Sequence, residues 1–217
     1  MREFTDVFKQ IADLELLIRK GIKIPYPLNV VIESTVTLEE GCEIGAFSVI
    51  KGNSRIGKNV VVRESCYIEN TVIDENSVVW QSTIINSYIE NNTTVGPYAF
   101  IRGNSEIKEN SQVGSYCEIN DSILGKDTKS KHFSYLGHTV VGEKVNIGAG
   151  TVTCTFDGKN KHKLLIGDNA FIGSGSLLVG PVEVGENSFS GAGSVITRDI
   201  DKNSLVFGVP ARKIRSL

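Results

Sequence analysis

The sequence lacks the cysteine pairs and the long apolar segments that would indicate a metal-binding, redox or membrane protein. It contains four cysteines, spread far apart with no C-x-x-C pair, which argues against a zinc ribbon or a thioredoxin-type redox motif. No charged segment followed by an apolar segment opens the chain, and no run of about 18 apolar residues occurs. We therefore expect a cytoplasmic protein with reduced thiols and no membrane partner.

Clustered charge of one sign is missing as well. The 217 residues include 23 Lys and Arg against 25 Asp and Glu, which gives a formal net charge of −2, and the cations are dispersed along the chain. A nucleic acid or an anionic lipid surface attracts a protein through a basic field. We expect neither partner, while the 40% hydrophobic content is enough for one continuous core.

What the sequence does contain is a six-residue repeat. A six-residue period fits neither a heptad nor a helix face, because 3.5 and 3.6 do not divide it. It predicts a short strand and a tight turn, which together form one side of a coil. With phase slips between series, the repeat positions are Ile32, Leu38, Ile44, Ile50, Ile56, Val62 and Ile68; Ile73, Val79 and Ile85; Ile89, Val95, Ile101, Ile107, Val113 and Ile119; Val141 and Ile147; Ile166, Ile172, Leu178, Val184, Ser190 and Ile196.

Three such sides make a coil of about 18 residues, so this span predicts roughly nine coils stacked as a parallel β-helix. The repeat residues should point inward, and glycine or a short polar residue should occupy the corners, where the backbone needs unusual dihedral angles. Phase slips should mark sides that are shortened by a residue or two. The fold class is therefore all-β, although the spacing does not fix the hand of the coil.

A short amphipathic helix is predicted before the coil. Residues 3–20 place apolar side chains at helical spacing, and Gly21 should end the helix. We divide the chain into a helix at 1–21 and a β-helix domain at 22–217. The face that carries Phe4, Phe8 and Ile11 is expected to cover the open end of the coil, as terminal caps of solenoids do.

Two stretches break the repeat. Residues 124–136 lose the clean period, and residues 154–165 insert a polar, lysine-rich segment between two regular series. An insertion that the core of a solenoid does not need is normally a loop on one face, and such loops tend to carry function. We expect the chemistry near these two stretches, and we assign residues 199–217 to a C-terminal tail.

All three histidines lie in or beside these interruptions. They are His132, His138 and His162, and none occupies a repeat position of the core. An unperturbed imidazole pKa of about 6.5 suits a histidine to take up and release a proton near neutral pH. A histidine on a surface is nevertheless usually solvated and has no catalytic role. The neighbouring motifs therefore determine whether a histidine is a catalytic candidate.

Those motifs resemble one family closely. The segments are K-H-F-S-Y-L-G at 131–137, V-N-I-G-A-G-T-V-T-C at 145–154, F-D-G-K-N-K-H-K at 156–163, I-G-D-N-A-F-I-G-S at 166–174 and V-I-T-R-D at 195–199. Together they resemble the acetyltransferase domain of the bifunctional UDP-N-acetylglucosamine pyrophosphorylase/glucosamine-1-phosphate N-acetyltransferase, a hexapeptide-repeat acyltransferase. The resemblance implies a left-handed parallel β-helix, a homotrimer with active sites between subunits, and transfer from acetyl-coenzyme A (acetyl-CoA) to an amino sugar phosphate without a metal.

The resemblance also implies roles for individual residues. His132 matches the general base, which removes a proton from the sugar amine. Tyr135, Asn146 and Lys161 match contacts to the sugar substrate, and Arg102 matches a contact to its phosphate. The positions that match the acetyl-CoA site are Ala149, Thr155, Phe156, Ser174 and Ala192.

Three departures from the family pattern bear on the substrate. Asn120 stands where the family has a lysine in the substrate site, which removes a cation that would pair with phosphate. Thr155 and Phe156 replace an Asn-Tyr pair at the coenzyme loop, and the segment 207–212 replaces a coenzyme-site arginine. The family's glycine-rich nucleotidyltransferase loop has no counterpart in residues 1–20, so we expect no uridylyltransferase activity.

Three alternatives stay open at this point. The acceptor could be a different amine, because of Asn120. The protein could be a catalytically lapsed trimeric scaffold, because of Asn120 and the missing arginine. A γ-carbonic-anhydrase-like metal hydratase would need three histidines meeting between subunits; the number of histidines fits, but their sequence context does not.

Overall fold

A computed structural model describes residues 4–217, with side chains described from residue 11 onward. Its short strands wind into a parallel β-helix of about ten turns, which confirms the predicted coil. In chain order the strands are β1 Val31–Ile32, β2 Thr37–Leu38, β3 Glu43–Ile44, β4 Val49–Lys51, β5 Arg55–Ile56, β6 Val61–Val62, β7 Tyr67–Glu69, β8 Val72–Ile73, β9 Val78–Val79, β10 Thr83–Ile85, β11 Tyr88–Ile89, β12 Thr94–Val95, β13 Phe100–Arg102, β14 Glu106–Ile107, β15 Gln112–Asn120, β16 Ile123–Leu124, β17 Lys129–Gly137, β18 Thr139–Val141, β19 Asn146–Ile147, β20 Val152–Cys154, β21 Leu164–Ile166, β22 Phe171–Ile172, β23 Leu177–Val179, β24 Glu183–Val184, β25 Phe189–Ser190, β26 Val195–Ile196, β27 Ser204–Gly208 and β28 Ala211–Ser216.

The strands form three faces. Face 1 consists of β1, β4, β7, β10, β13, β20, β23 and β26 together with the second halves of β15 and β17. Face 2 consists of β2, β5, β8, β11, β14, β16, β18, β21 and β24. Face 3 consists of β3, β6, β9, β12, the first halves of β15 and β17, β19, β22, β25 and β27.

The strand register explains the phase slips in the repeat. Ile32 pairs with Ile50 and Ile50 with Ile68, so these turns are the expected 18 residues long. Ile68 then pairs with Ile84, which makes that turn two residues shorter. The predicted core residue Ile85 is therefore wrong, since Ile84 is fully buried in its place and Ile85 is only half-buried.

The first predicted interruption is not a loop. Residues 124–136 continue the coil through β16 and β17, and Leu124 and Leu136 are both fully buried. The period is lost in the sequence because Ser130 occupies the inward position between Val113 and Ile147 of the neighbouring turns. A serine in an aliphatic column hides the repeat from a search for apolar residues.

The corners between faces differ in the residues that form them. Corner A joins face 2 to face 3 and carries mostly asparagines with positive φ, for example Asn59, Asn92 and Asn187. Corner B joins face 3 to face 1, and corner C joins face 1 to face 2. Asparagine tolerates the left-handed backbone better than other non-glycine residues, which fits the prediction of short polar corner residues.

The helix α1 covers Phe4–Arg19 and ends in a Schellman motif. Gly21, with φ of 90°, donates its N–H to the Ile18 carbonyl, and the Ile22 N–H reaches the Leu17 carbonyl. Leu14 is buried in one cluster with Ile22, the first apolar residue of the coil. Ile11, predicted to cover the coil, is instead 41% exposed, and the predicted contacts of Phe4 and Phe8 lie outside the described side chains.

The second insertion and the tail depart from the regular coil. Thr153 pairs with Leu178, so this turn is 25 residues long and holds a loop at residues 155–163 between β20 and β21. In the tail, β27 still adds a last strand to face 3, and β28 folds back antiparallel to it.

Candidate active site

Four of the predicted site residues form one column at corner B. His132, Ala149, Ser174 and Ala192 each stand three positions before a residue of face 1, and those face 1 residues (Tyr135, Val152, Leu177 and Val195) pair with one another in register. Adjacent turns are about 4.8 Å apart, so the column runs for roughly 14 Å from the imidazole along the coil. Three small side chains therefore follow the histidine in a line.

At corner B, the residue that follows this column in sequence is aromatic in the two turns before His132 and glycine in the turns after it. Tyr98 and Tyr116 occupy it before His132, and their exposed rings stack with centroids 5.3 Å apart. Beyond Phe133 the position belongs to Gly150, Gly175 and Gly193, all with φ near 70°. The stacked tyrosines form a ridge, and the glycines with the small residues of the column form a groove. The two surfaces meet at His132, and a ligand along the groove can approach the backbone closely.

Three side chains on face 1 form a polar cluster at the end of their strands. Arg102 donates to Glu118 through Nη2 at 2.6 Å and Nε at 3.2 Å, and to the Asn120 Oδ1 through Nη1 at 2.9 Å. Asn120 is 7% exposed and pairs with Arg102 in register. Glu118 was not among the predicted residues, although its position two residues before Asn120 on one strand could have suggested it.

Tyr135 lies on the same face, one turn further along the coil. A Cβ atom on Gly137 would stand 2.5 Å from the Tyr135 hydroxyl oxygen, so the glycine leaves room for the ring to fold over it. Gly137 pairs with Asn120 in register. The phenol is thereby brought next to the cluster of Arg102, and face 1 carries three of the five predicted substrate residues.

The other two predicted substrate residues lie elsewhere in the chain. Asn146 is on face 3, between Lys129 and Phe171 of the neighbouring turns. Lys161 is exposed on the inserted loop, which leaves the coil at corner C. Together with Asp121 and His138 it lines a cleft of about 400 Å³ around that corner. Within a single subunit, Asn146 and Lys161 therefore lie apart from the substrate residues on face 1.

The inserted loop is internally folded. The Asp157 carboxylate accepts hydrogen bonds from the backbone N–H groups of Lys159 and Asn160 and contacts the His162 Nε2 at 2.7 Å. The backbone donors, above all that of Asn160, and then His162 lower the pKa of Asp157. This turn exposes Phe156 at 62%, whereas Thr155 is buried in the base of the loop with 6% exposure.

The remaining histidines are engaged within the chain. His138 Nδ1 lies 2.6 Å from Asp121 Oδ2 at corner C, and His162 is held by Asp157. The His132 imidazole is exposed on β17 and makes no hydrogen bond to residues 11–217. Among the residues that the structure describes, no three His, Cys, Asp or Glu side chains are grouped so that they could hold a metal ion.

Over residues 4–217, the structure has no helix with the length and apolar character needed to cross a bilayer.

Comparison with protein families identifies the class. The bacterial transferase hexapeptide family (six repeats) matches residues 35–70 and 86–121, and the hexapeptide repeat of succinyl-transferase matches residues 163–198. The chain is therefore a hexapeptide-repeat protein, and its repeats match those of transferase families.

Two similar curated proteins carry the same name. The chain is 42% identical over 194 residues to the bifunctional protein GlmU of Thermosipho africanus, covering 89% of this chain and 43% of that protein. It is 40% identical over 188 residues to the bifunctional protein GlmU of Streptococcus mutans, covering 87% of this chain and 41% of that protein. The resemblance to the acetyltransferase domain of this bifunctional family is confirmed, and the chain spans about two-fifths of the length of these relatives.

Solved structures share the fold at low sequence identity. The Arabidopsis UDP-N-acetylglucosamine acyltransferase superimposes with a TM-score of 0.68 at 15% identity, over 87% of this chain and 73% of that one. The same enzyme from Bacteroides fragilis gives 0.61 at 20% identity, again over 87% and 73%. These likenesses establish the architecture of the coil.

Proposed function

We propose that the protein is an acetyl-CoA-dependent N-acetyltransferase that acts on glucosamine 1-phosphate or a closely related amino sugar. The observation that carries this proposal is the column of His132, Ala149, Ser174 and Ala192 at corner B. A groove of small residues that ends at an exposed imidazole suits a long, thin thioester whose reactive end must meet a base.

The reaction needs no nucleophile from the protein. His132 takes a proton from the sugar amine as its nitrogen attacks the thioester carbonyl. The new C–N bond forms, the C–S bond breaks, and the coenzyme A thiolate leaves and takes up a proton. A developing oxyanion is stabilised by hydrogen-bond donors such as backbone N–H groups, and histidine is the side chain best suited to act as a base at neutral pH.

The acceptor is assigned to face 1. Arg102 supplies the cation for a sugar phosphate, and Tyr135 supplies a hydroxyl beside it. Glu118 already neutralises part of the guanidinium charge, and Asn120 adds an amide in place of a second cation. A charge-assisted hydrogen bond contributes about 1.5–3 kcal/mol. We therefore expect phosphate to be held less tightly than with a lysine at 120, and an acceptor without a phosphate is the second candidate.

The active form is proposed to be a homotrimer. Outward faces of the C-terminal turns carry apolar side chains that a monomer would leave in water: Phe171 and Phe189 stack on face 3, and Leu177 and Val179 are more than a third exposed on face 1. Neighbouring subunits would cover them and would bring a further face to corner B, where Asn146 and Lys161 of other copies could complete the site. Light scattering on the purified chain should give three times the monomer mass, and a stable, active monomer would contradict the trimer.

A thiol-release assay with acetyl-CoA tests the activity. The acceptors are glucosamine 1-phosphate, glucosamine 6-phosphate, free glucosamine and a nucleotide-linked amino sugar. Release of coenzyme A with glucosamine 1-phosphate supports the full proposal, and release only with another amine redefines the acceptor. A protein that binds acetyl-CoA but releases no thiol with any acceptor would be a scaffold and not an enzyme.

A further inference from the structure

The bend that carries His132 is built differently from the same bend in other turns. In eight other turns, the corner B residue that stands two positions before face 1 has positive φ: Phe47, Ser65, Gln81, Tyr98, Tyr116, Gly150, Gly175 and Gly193. Within β17 no residue has positive φ between Lys129 and Gly137, and all nine residues continue as strand. The chain therefore turns this corner without the backbone conformation that fixes the others.

Two buried hydroxyl groups span the inside of this bend. Ser130 Oγ and Ser134 Oγ lie 2.7 Å apart although the residues are four positions apart in sequence, a separation of about 13 Å in an extended chain. Ser130 is fully buried and Ser134 is 6% exposed. Residues 131–133 form the arc outside this hydrogen bond, with His132 at its centre.

Cys117 of the preceding turn extends the contact. Its Sγ donates to the Ser130 carbonyl at 3.1 Å and accepts from Ser134 Oγ at 3.4 Å. Neighbouring turns have Val113 and Ile147 at the inward position that Ser130 occupies. A hydroxyl here gives up apolar contacts. Ser190, three turns further along the same inward column, contacts Gly173 and Ser176 of the preceding turn, whereas Ser130 bonds across its own bend.

The imidazole of His132 has no hydrogen bond of its own to residues 11–217, so its direction depends on the backbone that bears it. We propose that Ser130 and Ser134 are positioning residues, whose hydrogen bond across the inside of the bend fixes the orientation of His132. This inference rests on the proposed function of His132 as the general base. Misplacement of a catalytic group by about 1 Å can lower the rate by up to about a hundredfold.

The test compares Ser130→Ala and Ser134→Ala with Ser111→Ala as the control. Ser111 is also fully buried and donates to a carbonyl, that of Gly125 at 2.7 Å, but it lies at corner A. We expect kcat to fall about tenfold in the two bend variants with an unchanged KM for acetyl-CoA, and to stay at the wild-type value in Ser111→Ala. Ser134→Thr keeps a hydroxyl and should restore kcat.

A second readout does not depend on activity. The His132 Cε1–H resonance, assigned by its loss in His132→Gln, should shift or broaden in Ser130→Ala and not in Ser111→Ala. An unchanged resonance, or a kcat within twofold of wild type while His132→Ala is inactive, would overturn the positioning role. Activity retained by His132→Ala would instead refute the proposed base, and the resonance would still decide whether the serines hold its side chain.

Discussion

The turns before and after His132 have the same fold but opposite surfaces at corner B. Before it, Tyr98 and Tyr116 raise a stacked aromatic ridge; after it, Gly175 and Gly193 leave a groove. All four residues have positive φ, so the backbone is alike on both sides. The β-helix thus sets the shape of the corner, and the side chain at one position per turn decides whether a ligand can lie along it.

The largest expected effect comes from the residue at the boundary. His132→Ala should lower kcat by roughly 10²–10⁴-fold, since that is the usual contribution of a positioned general base. The exposed side chain contributes nothing to the core, so the melting temperature should not change. The control is His162→Ala, which removes an imidazole that Asp157 holds on the loop. Steady-state kinetics with the true acceptor gives kcat for both variants. Near-normal turnover in His132→Ala would show that His132 is not the general base.

A tyrosine placed in the groove tests whether the groove binds acetyl-CoA. Gly175→Tyr copies the residue that Tyr116 provides at a similar φ, and its Cβ would meet only the Cα and N atoms of Gly193, each at 3.8 Å. We expect the KM for acetyl-CoA to rise at least about tenfold, equivalent to about 1.4 kcal/mol of lost binding. The reverse change, Tyr116→Gly, should leave this KM unaltered. Equal effects of the two substitutions would mean that the groove is not the coenzyme site.

A smaller effect is expected from Asn120→Lys on face 1. The new ammonium group adds a cation for phosphate, and Arg102 stays in place because Glu118 holds it through two nitrogens. The KM for glucosamine 1-phosphate should fall by about tenfold, the lower end of what one charge-assisted hydrogen bond contributes, while the KM for free glucosamine should stay constant. If both constants change together, the substitution has altered the fold of the site and not its charge.

The smallest effect is expected inside the N-terminal turns. Burial raises the pKa of the Cys42 and Cys66 thiols to about 11 from an ordinary 9.0. Neither should react with a disulfide reagent at pH 8, where the denatured chain should show all four thiols. A thiol whose pKa is raised by folding destabilises the folded state as pH rises above 9, so the melting temperature should fall between pH 9 and 11. Cys66→Ala should reduce that fall.

The coil could be predicted from the sequence because the inward residues repeat on nearly every side. The prediction was wrong for Ile85 because a short turn shifted the inward position to Ile84. It was wrong for residues 124–136 because Ser130 replaces an aliphatic residue inside β17. Polar residues that satisfy one another inside a coil give no periodic signal, although they are as buried as isoleucine.

The candidate site could be predicted from the sequence only in part. The motifs suggested His132, Ala149, Ser174 and Ala192, but only the register reveals that they form one column. The contact between Arg102 and Glu118 joins neighbouring turns, and the two residues are 16 positions apart in sequence. Spacing along the chain does not define which side chains meet across turns of unequal length.

We expect the groove of corner B to hold the acetyl donor with its thioester at His132. A crystal structure of the protein with coenzyme A tests it most directly. The pantetheine arm should lie along Ala192, Ser174 and Ala149, and its sulfur should end beside the His132 imidazole. A coenzyme bound along the asparagines of corner A, or over the ridge of Tyr98 and Tyr116, would contradict it.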